Sequence, residues 1–310
     1  MGTASLSKSN APAWVNGVLL GTMSLLYTPL LLHWYQGWLN KSISIEHEYF
    51  SHGLIGIPFA VYIAWTLRHK WSKLPDASAW EQAIGLGCAG ATGSLYLTGL
   101  PDFVNLSLPL MLASIILCLK GWAGLRLQGF PLVLIALATP NELPYLITPY
   151  TLPLQSFIAS CAGLLLQLFG MNVTVDSINL FVNGKQVEVA PYCAGLKMLF
   201  TSLYVALMLL YWTGTIARRW AVVSLLASAV ALSITANIIR NTMLTFFHGT
   251  GQDGLFEWLH DSWGGDLYSA GLLGLLVLIS QKLADILDQQ SNSKRSGTVT
   301  LNNGTVNNDH

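Results

Sequence analysis

The stretch CAGLKMLFTSLYVALMLLYWT (residues 193–213) is apolar over most of its length, but it begins with a cysteine and carries a lysine near that end. Its length suits one helical crossing of a bilayer, which takes about 20 mostly apolar residues. Ionisable groups within such a span are costly and tend to be functional. The stretch therefore predicts a membrane-spanning helix with chemistry at one end.

The composition extends this prediction to the whole chain. Of its 310 residues, 53% are hydrophobic and only 10% are charged, whereas soluble domains carry about 25% charged residues. The formal net charge is zero, so no basic field indicates a nucleic-acid partner. We predict an all-α polytopic membrane protein whose main environment is the lipid bilayer.

Further apolar runs approach the length of a membrane span. The candidate spans are residues 14–34, 52–67, 82–100, 104–120, 193–213, 218–242 and 267–287. Residues 127–170 are also apolar but are broken by Pro140, Pro144, Pro149 and Pro153. They predict either two spans, or one span with an interfacial or re-entrant helix.

Charge placement favours about eight spans, with one net crossing in residues 127–170 and both termini in the cytoplasm. Lysine and arginine concentrate on the cytoplasmic side of membrane proteins, and this topology leaves only Lys41 and Lys185 in outer loops. We expect a plasma (inner) membrane protein. Its parts are a cytoplasmic segment at residues 1–13, a transmembrane domain at 14–287 and a disordered cytoplasmic tail at 288–310.

Residues 170–192 differ from the surrounding apolar runs. Apolar residues alternate with mostly polar ones from Val173 to Val189, and Asn183-Gly184 lies between them. Asn-Gly flanked by alternating apolar residues is the strongest short-range hairpin signal. We predict a small extracytoplasmic β-hairpin, which is either a connector or a strand edge that receives an extended peptide.

Of the four cysteines, Cys193 has the most polar surroundings. Tyr192 and Cys193 begin a span, and a helix N-terminus favours the thiolate. Lys197 follows one turn later on the same face, and Gly195 leaves room for close backbone approach. These features favour a nucleophile, although a packed structural cysteine remains the alternative.

A second polar cluster ends the run at residues 218–242. Asn237, Arg240 and Asn241 share one helix face. A guanidinium there is suited to hold a developing oxyanion or a substrate carboxylate, and the alternative is a side chain that snorkels to the headgroups.

His260 follows an apparent loop at residues 248–253 and precedes the last span. Histidine is the side chain most suited to proton transfer near neutral pH, and His52 and His248 are rival candidates on the same side of the membrane. The histidines and cysteines show no spacing typical of a metal site, so we expect no metal and no cofactor.

A nucleophile, a cation and an acid/base at neighbouring helix ends predict cleavage of an amide bond at a membrane surface. The alternative is a transporter or channel in which these residues line a polar outer vestibule. That alternative predicts polar residues throughout the spans, whereas residues 104–120 and 267–287 are almost wholly apolar.

The three motifs, in this order, resemble those of the exosortase/archaeosortase family, including its cyanobacterial members. The matching segments are Cys193-Ala194-Gly195-Leu196-Lys197, Asn237-Ile238-Ile239-Arg240, and His260 with Gly264, supported by Phe50-Ser51-His52-Gly53. The resemblance covers roughly residues 45–287. The chain departs from the family pattern at Ala194, where many members have serine, and at Lys197, where the pattern has arginine.

The resemblance implies a membrane cysteine protease and transpeptidase. Its partners would be secreted proteins with a C-terminal PEP-CTERM-type tail, which consists of a short Pro-Glu-Pro-type motif, a transmembrane helix and a basic end. Cys193, Arg240 and His260 would be catalytic, and Lys197, Asn237, His52, Tyr192 and Gly195 would support catalysis or bind substrate. The acceptor of the cleaved chain, whether water, a glycolipid or another amine, stays open.

Overall fold

The structure is a computed structural model that describes residues 13–39, 49–189 and 195–304. These residues form helices and one three-stranded antiparallel sheet. In chain order the elements are α1 (Ala13–Leu39), α2 (Gly53–Thr66), α3 (Arg68–Ser72), α4 (Ala79–Leu97), α5 (Pro101–Ala138), α6 (Leu143–Ile147), α7 (Leu152–Leu168), β1 (Val173–Asp176), β2 (Asn179–Val182), β3 (Lys185–Glu188), α8 (Leu196–Trp212), α9 (Arg219–Gly249), α10 (Asp253–His260) and α11 (Trp263–Gly304).

Within the described residues, three helices are long and apolar enough to cross a membrane: α5, α9 and the Trp263–Leu287 part of α11. The helices Leu143–Tyr150 and Leu152–Leu168 are bent by 62° at their junction and add a fourth crossing if they form one broken span. A mostly helical membrane protein is thus confirmed. The total of eight spans stays a prediction, as do the boundaries of the terminal segments.

The chain divides into two compact units. The first contains the residues up to Leu54 together with Ala64–Asn141, and the second contains Ile55–Ile63 together with the residues from Glu142 onward.

In the first unit, α4 and α5 form a helical hairpin. Ser78 and Glu81 cap α4 reciprocally, and the Glu81 carboxylate also accepts a hydrogen bond from the Trp122 backbone N–H at 3.0 Å. The bond from Trp122, with those from Ser78, lowers the pKa of Glu81. The Trp122 N–H lies directly after a break in α5 at Gly121, whose φ of 59° and ψ of −154° are accessible essentially only to glycine.

In the second unit, α7 packs against the buried face of the sheet. Ile158, Ala162 and Leu166 of α7 meet Leu180 and Val182 in a fully enclosed apolar core. The alternation predicted for residues 173–189 produces this core, because every second side chain of a strand points to the same face.

The sheet has one strand more than the predicted hairpin. Asn183 and Gly184 form the expected two-residue turn, with φ angles of 50° and 78°. A second tight turn, with Ser177 at a φ of 55°, joins β1 to β2. The sequence prediction missed this turn because Ser-Ile is a weaker turn signal than Asn-Gly.

Helices α8, α9 and α11 pack around a second apolar cluster in the same unit. Its buried members include Ala206 of α8, Ala221 and Ala229 of α9, and Leu276 of α11. Small residues allow membrane helices to approach closely, which increases van der Waals contact between them. This packing fixes α8 and α9, the two helices that carry most of the predicted site.

Helix α9 continues beyond the predicted end at residue 242 and reaches Gly249. Thr242 donates its hydroxyl to the Ile238 carbonyl at 2.8 Å, and Asn241 donates to the Asn237 carbonyl at 2.9 Å. Because these hydrogen bonds within the helix satisfy the two polar side chains, the helix continues past both residues. The run predicted from hydropathy was therefore too short.

Candidate active site

The structure describes the residues on both sides of the predicted nucleophile. Cys193 and Tyr192 themselves lie outside the described residues. On one side of them, the Val189 backbone is held by a hydrogen bond from Gln155 Nε2 to its carbonyl at 2.9 Å and by one from its N–H to Ile178. On the other side, Gly195 caps the start of α8. Residues 190–194 therefore connect the end of the sheet to the start of α8.

Gly195 is required at its position for two independent reasons. Its φ of 82° lies in the left-handed region that favours glycine. A Cβ atom on Gly195 would also lie 2.7 Å from Cγ and 2.8 Å from Nδ2 of Asn237. The close approach that the sequence predicted for Gly195 is thus made to the side chain of Asn237.

Asn237 presents its amide nitrogen to the end of this segment. The side chain is only 1% exposed, and its Oδ1 accepts a hydrogen bond from Asn241 Nδ2 at 3.3 Å. This bond orients the amide so that Nδ2 lies towards Gly195. No acceptor for Nδ2 is found among the described residues.

Arg240 lies one turn after Asn237 on the same helix face. Its Nη2 donates to the Leu259 carbonyl at 3.3 Å, and its buried Nε has no acceptor within the described part of the chain. A Cβ atom on Gly265 would lie only 2.9 Å from the Leu259 carbonyl oxygen, so the glycine keeps this acceptor accessible. Arg240 therefore contacts the backbone immediately before His260.

His260 is the last residue of α10, a helix that the sequence analysis did not predict. Its ring stacks on Phe256 with a centroid distance of 5.2 Å and an interplanar angle of 8°. Its Nδ1 lies 2.7 Å from Asp261 Oδ1. The carboxylate favours the tautomer with hydrogen on Nδ1, which leaves Nε2 as the basic nitrogen.

A cleft of about 150 Å³ lies between β3 and the helices α9 and α10. It is lined by Gln186, Val187, Glu188, Asn241, Leu244, His248, Phe256 and His260. The rival histidine, His248, contacts Phe256 and lies 3.4 Å from Asp253, which also pairs with Lys185. The cleft thus lies between the strand that precedes Cys193 in the sequence and both candidate acid/base residues of this unit.

A larger groove of about 440 Å³ lies between α9 and α11. Its lining is almost entirely apolar, and the Tyr268 hydroxyl is already bonded to the Ala236 carbonyl at 2.6 Å. Because it offers few groups able to move a proton or stabilise charge, the smaller polar cleft is the better candidate active site.

The remaining predicted residues are Lys197 and His52. Lys197 is half-buried in the first turn of α8. His52 belongs to the first unit, where it is 5% exposed and its Nε2 lies 3.2 Å from the Leu137 carbonyl oxygen. Roles for both residues stay predictions.

The site predicted from the sequence does not include Gln155, Phe256 or Asp261. Asp261 is a charge beside His260 in sequence, and Phe256 lies on an unpredicted helix. Gln155 had a detectable signal, since it is a polar residue within an apolar helix.

Across the described ranges, no group of three or more His, Cys, Asp or Glu side chains is arranged to hold a metal ion.

Most of the chain, including every segment of this site, is similar to a known protein family. A family model described as transmembrane exosortase matches residues 34–277. Neither the curated proteins nor the solved structures yield a significant match.

We predict that Gln155→Leu lowers the free energy of unfolding by about 1–3 kcal/mol, because the buried Val189 carbonyl loses its side-chain donor. Thermal unfolding of the purified protein in detergent measures the change. The matched control is Ser160→Ala in the same helix, whose hydroxyl is exposed and bonds only within α7. Equal unfolding temperatures for the two variants would contradict the anchoring role of Gln155.

Proposed function

Because the chain belongs to the transmembrane exosortase family, we propose that it is a membrane cysteine protease and transpeptidase that cleaves C-terminal sorting tails from secreted proteins. One observation carries the assignment of the site. A single face of α9 contacts Gly195 through Asn237 and the Leu259 carbonyl through Arg240. Leu259 directly precedes His260, so this face contacts both the end of the cysteine segment and the backbone that carries the candidate acid/base.

The proposed substrates follow from family membership. They are secreted proteins that end in a short Pro-Glu-Pro-type motif, one transmembrane helix and a basic end. The transmembrane helix would hold the tail in the bilayer, so that the scissile bond lies near the membrane surface. The acceptor is either water or an amine.

In the first half of the proposed reaction, the Cys193 thiolate attacks the carbonyl carbon of the scissile peptide bond. The carbonyl oxygen becomes an oxyanion, which the Arg240 guanidinium and the Asn237 amide stabilise. The C–N bond then breaks, His260 donates a proton to the leaving amine, and a thioester to Cys193 remains.

In the second half, water or an acceptor amine attacks the thioester. His260 accepts the proton of this nucleophile, the C–S bond breaks, and the Cys193 thiolate is restored. Asp261 supports both steps, because its carboxylate beside Nδ1 orients the ring and favours the tautomer with hydrogen on Nδ1.

The donor groups of Asn237 and Arg240 support an oxyanion-binding role. Asn237 Nδ2 and Arg240 Nε are buried and have no acceptor within the described ranges. Donors of this kind stabilise developing charge best when they are oriented before the reaction.

The proposed topology has eight spans in the plasma (inner) membrane, with both termini in the cytoplasm and the active site on the extracytoplasmic side. The distribution of lysine and arginine along the sequence supports this orientation.

Co-expression with a reporter tests the nucleophile. A secreted reporter with a Pro-Glu-Pro-type tail is expected to be shortened by the wild type and left intact by Cys193→Ala, as followed by immunoblot. Cys161→Ala is the matched control and is expected to retain cleavage, because Cys161 lies in the apolar helix α7. Shortening by Cys193→Ala would contradict the role of Cys193, and mass spectrometry of the new C-terminus identifies the acceptor.

The role of Arg240 is tested by cleavage kinetics. Arg240→Gln is expected to lower kcat by about 100- to 1,000-fold with little change in KM, because a donor to the oxyanion acts mainly in the transition state. Arg219→Gln at the other end of α9 is the control and is expected to retain kcat. If instead KM rises at constant kcat, and Arg240→Glu cleaves a tail with lysine in place of the motif glutamate, then Arg240 binds the substrate carboxylate.

Thiol labelling in intact cells tests the orientation. With Cys88, Cys118 and Cys161 replaced by alanine, a membrane-impermeant maleimide is expected to label Cys193 without permeabilisation. A second variant that lacks all four cysteines and carries Ser291→Cys is expected to react only after permeabilisation. The reverse pattern would contradict the proposed topology.

A further inference from the structure

Strand β3 forms an edge of the sheet, and the register determines which of its backbone groups face outward. The two-residue turn makes Val182 and Lys185 a hydrogen-bonded pair, and such pairs alternate along an antiparallel ladder. Val187 therefore bonds to Leu180, whereas Gln186 and Glu188 direct their N–H and C=O groups away from β2. The bond from Val189 N–H to the Ile178 carbonyl continues the same alternation.

This edge is open where it meets the candidate site. Across the described residues, no backbone group bonds to the outward N–H or C=O of Gln186 or Glu188. The cleft of about 150 Å³ separates the two residues from Asn241, Phe256 and His260. The edge of β3 is thus one wall of the cleft that contains His260.

The size and chemistry of the cleft favour an extended chain as its occupant. Its volume of about 150 Å³ is below the roughly 300–1,000 Å³ typical of small-molecule pockets, so the cleft encloses only part of a larger ligand. The outward backbone groups of Gln186 and Glu188 repeat every second residue, which matches the repeat of another extended backbone. A lipid or a small polar ligand does not offer this repeat.

We propose that an extended segment of the polypeptide substrate pairs with β3 as a fourth strand. This inference rests on the proposed function, because it takes the occupant to be the sorting tail. Pairing with Gln186 and Glu188 aligns the segment with β3, which precedes Cys193 in the sequence. His260 then lines the far wall of the same cleft. Main-chain hydrogen bonds hold the tail in place, and the cleft accepts one of its side chains.

Synthetic tail peptides with single N-methyl groups test the pairing. Their dissociation constants are measured on the full-length Cys193→Ala protein in detergent. N-methylation at alternate positions is expected to weaken binding by about 2- to 12-fold, because only every second peptide N–H faces β3. Equal sensitivity at all positions, or none at any, would overturn the inference.

A pair of protein variants tests the same contact from the other side. Glu188→Pro removes the outward N–H, while Glu188→Ala changes only the side chain. We expect Glu188→Pro to bind the unmethylated peptide about 2- to 12-fold more weakly than Glu188→Ala, with equal unfolding temperatures, because this N–H points away from the sheet. Equal binding by the two variants would overturn the inference.

Cleavage by the wild-type protein distinguishes this inference from the proposed function. If N-methylation at alternate positions weakens peptide binding but the wild type does not cleave, the strand pairing is supported and the proposed protease activity is contradicted. If the wild type cleaves but N-methylation has no alternating effect on binding, the protease activity is supported and the strand pairing is overturned.

Discussion

The close approach of Gly195 to Asn237 is the contact on which the arrangement of the candidate site depends. It sets the start of α8 against the middle of α9, and it leaves no space for a side chain at position 195. The left-handed backbone of Gly195 turns the chain from the cysteine segment into the helix. The packing of the start of α8 against α9 thus depends on a glycine.

Polar groups buried in a membrane protein are costly unless they are paired. Thr242 and Asn241 of α9 meet this requirement through bonds within the helix. Asn237 Nδ2 and Arg240 Nε differ, because neither has an acceptor among the described residues. Two oriented donors on one helix face are consistent with a site that binds negative charge during the reaction.

The sheet combines a structural and a proposed functional role through the alternation of its side chains. One face supplies Leu180 and Val182 to the core with α7, while the exposed face carries Gln186 and Glu188. The same alternation directs backbone groups of β3 outward at every second residue. A small sheet with few residues can therefore be anchored firmly and still keep one edge available.

Sequence patterns are enough to predict the membrane class, the Asn-Gly turn, the alternation of residues 173–189 and the shared face of Asn237 and Arg240. These features are local, since they depend on hydropathy, turn chemistry and helical spacing. Packing in three dimensions is needed to establish the contact of Gly195 with Asn237, the bond from Arg240 to Leu259, the position of His260 in the cleft and the open edge of β3. These features join residues that are distant in sequence, and only the packing of helices and sheet brings them together.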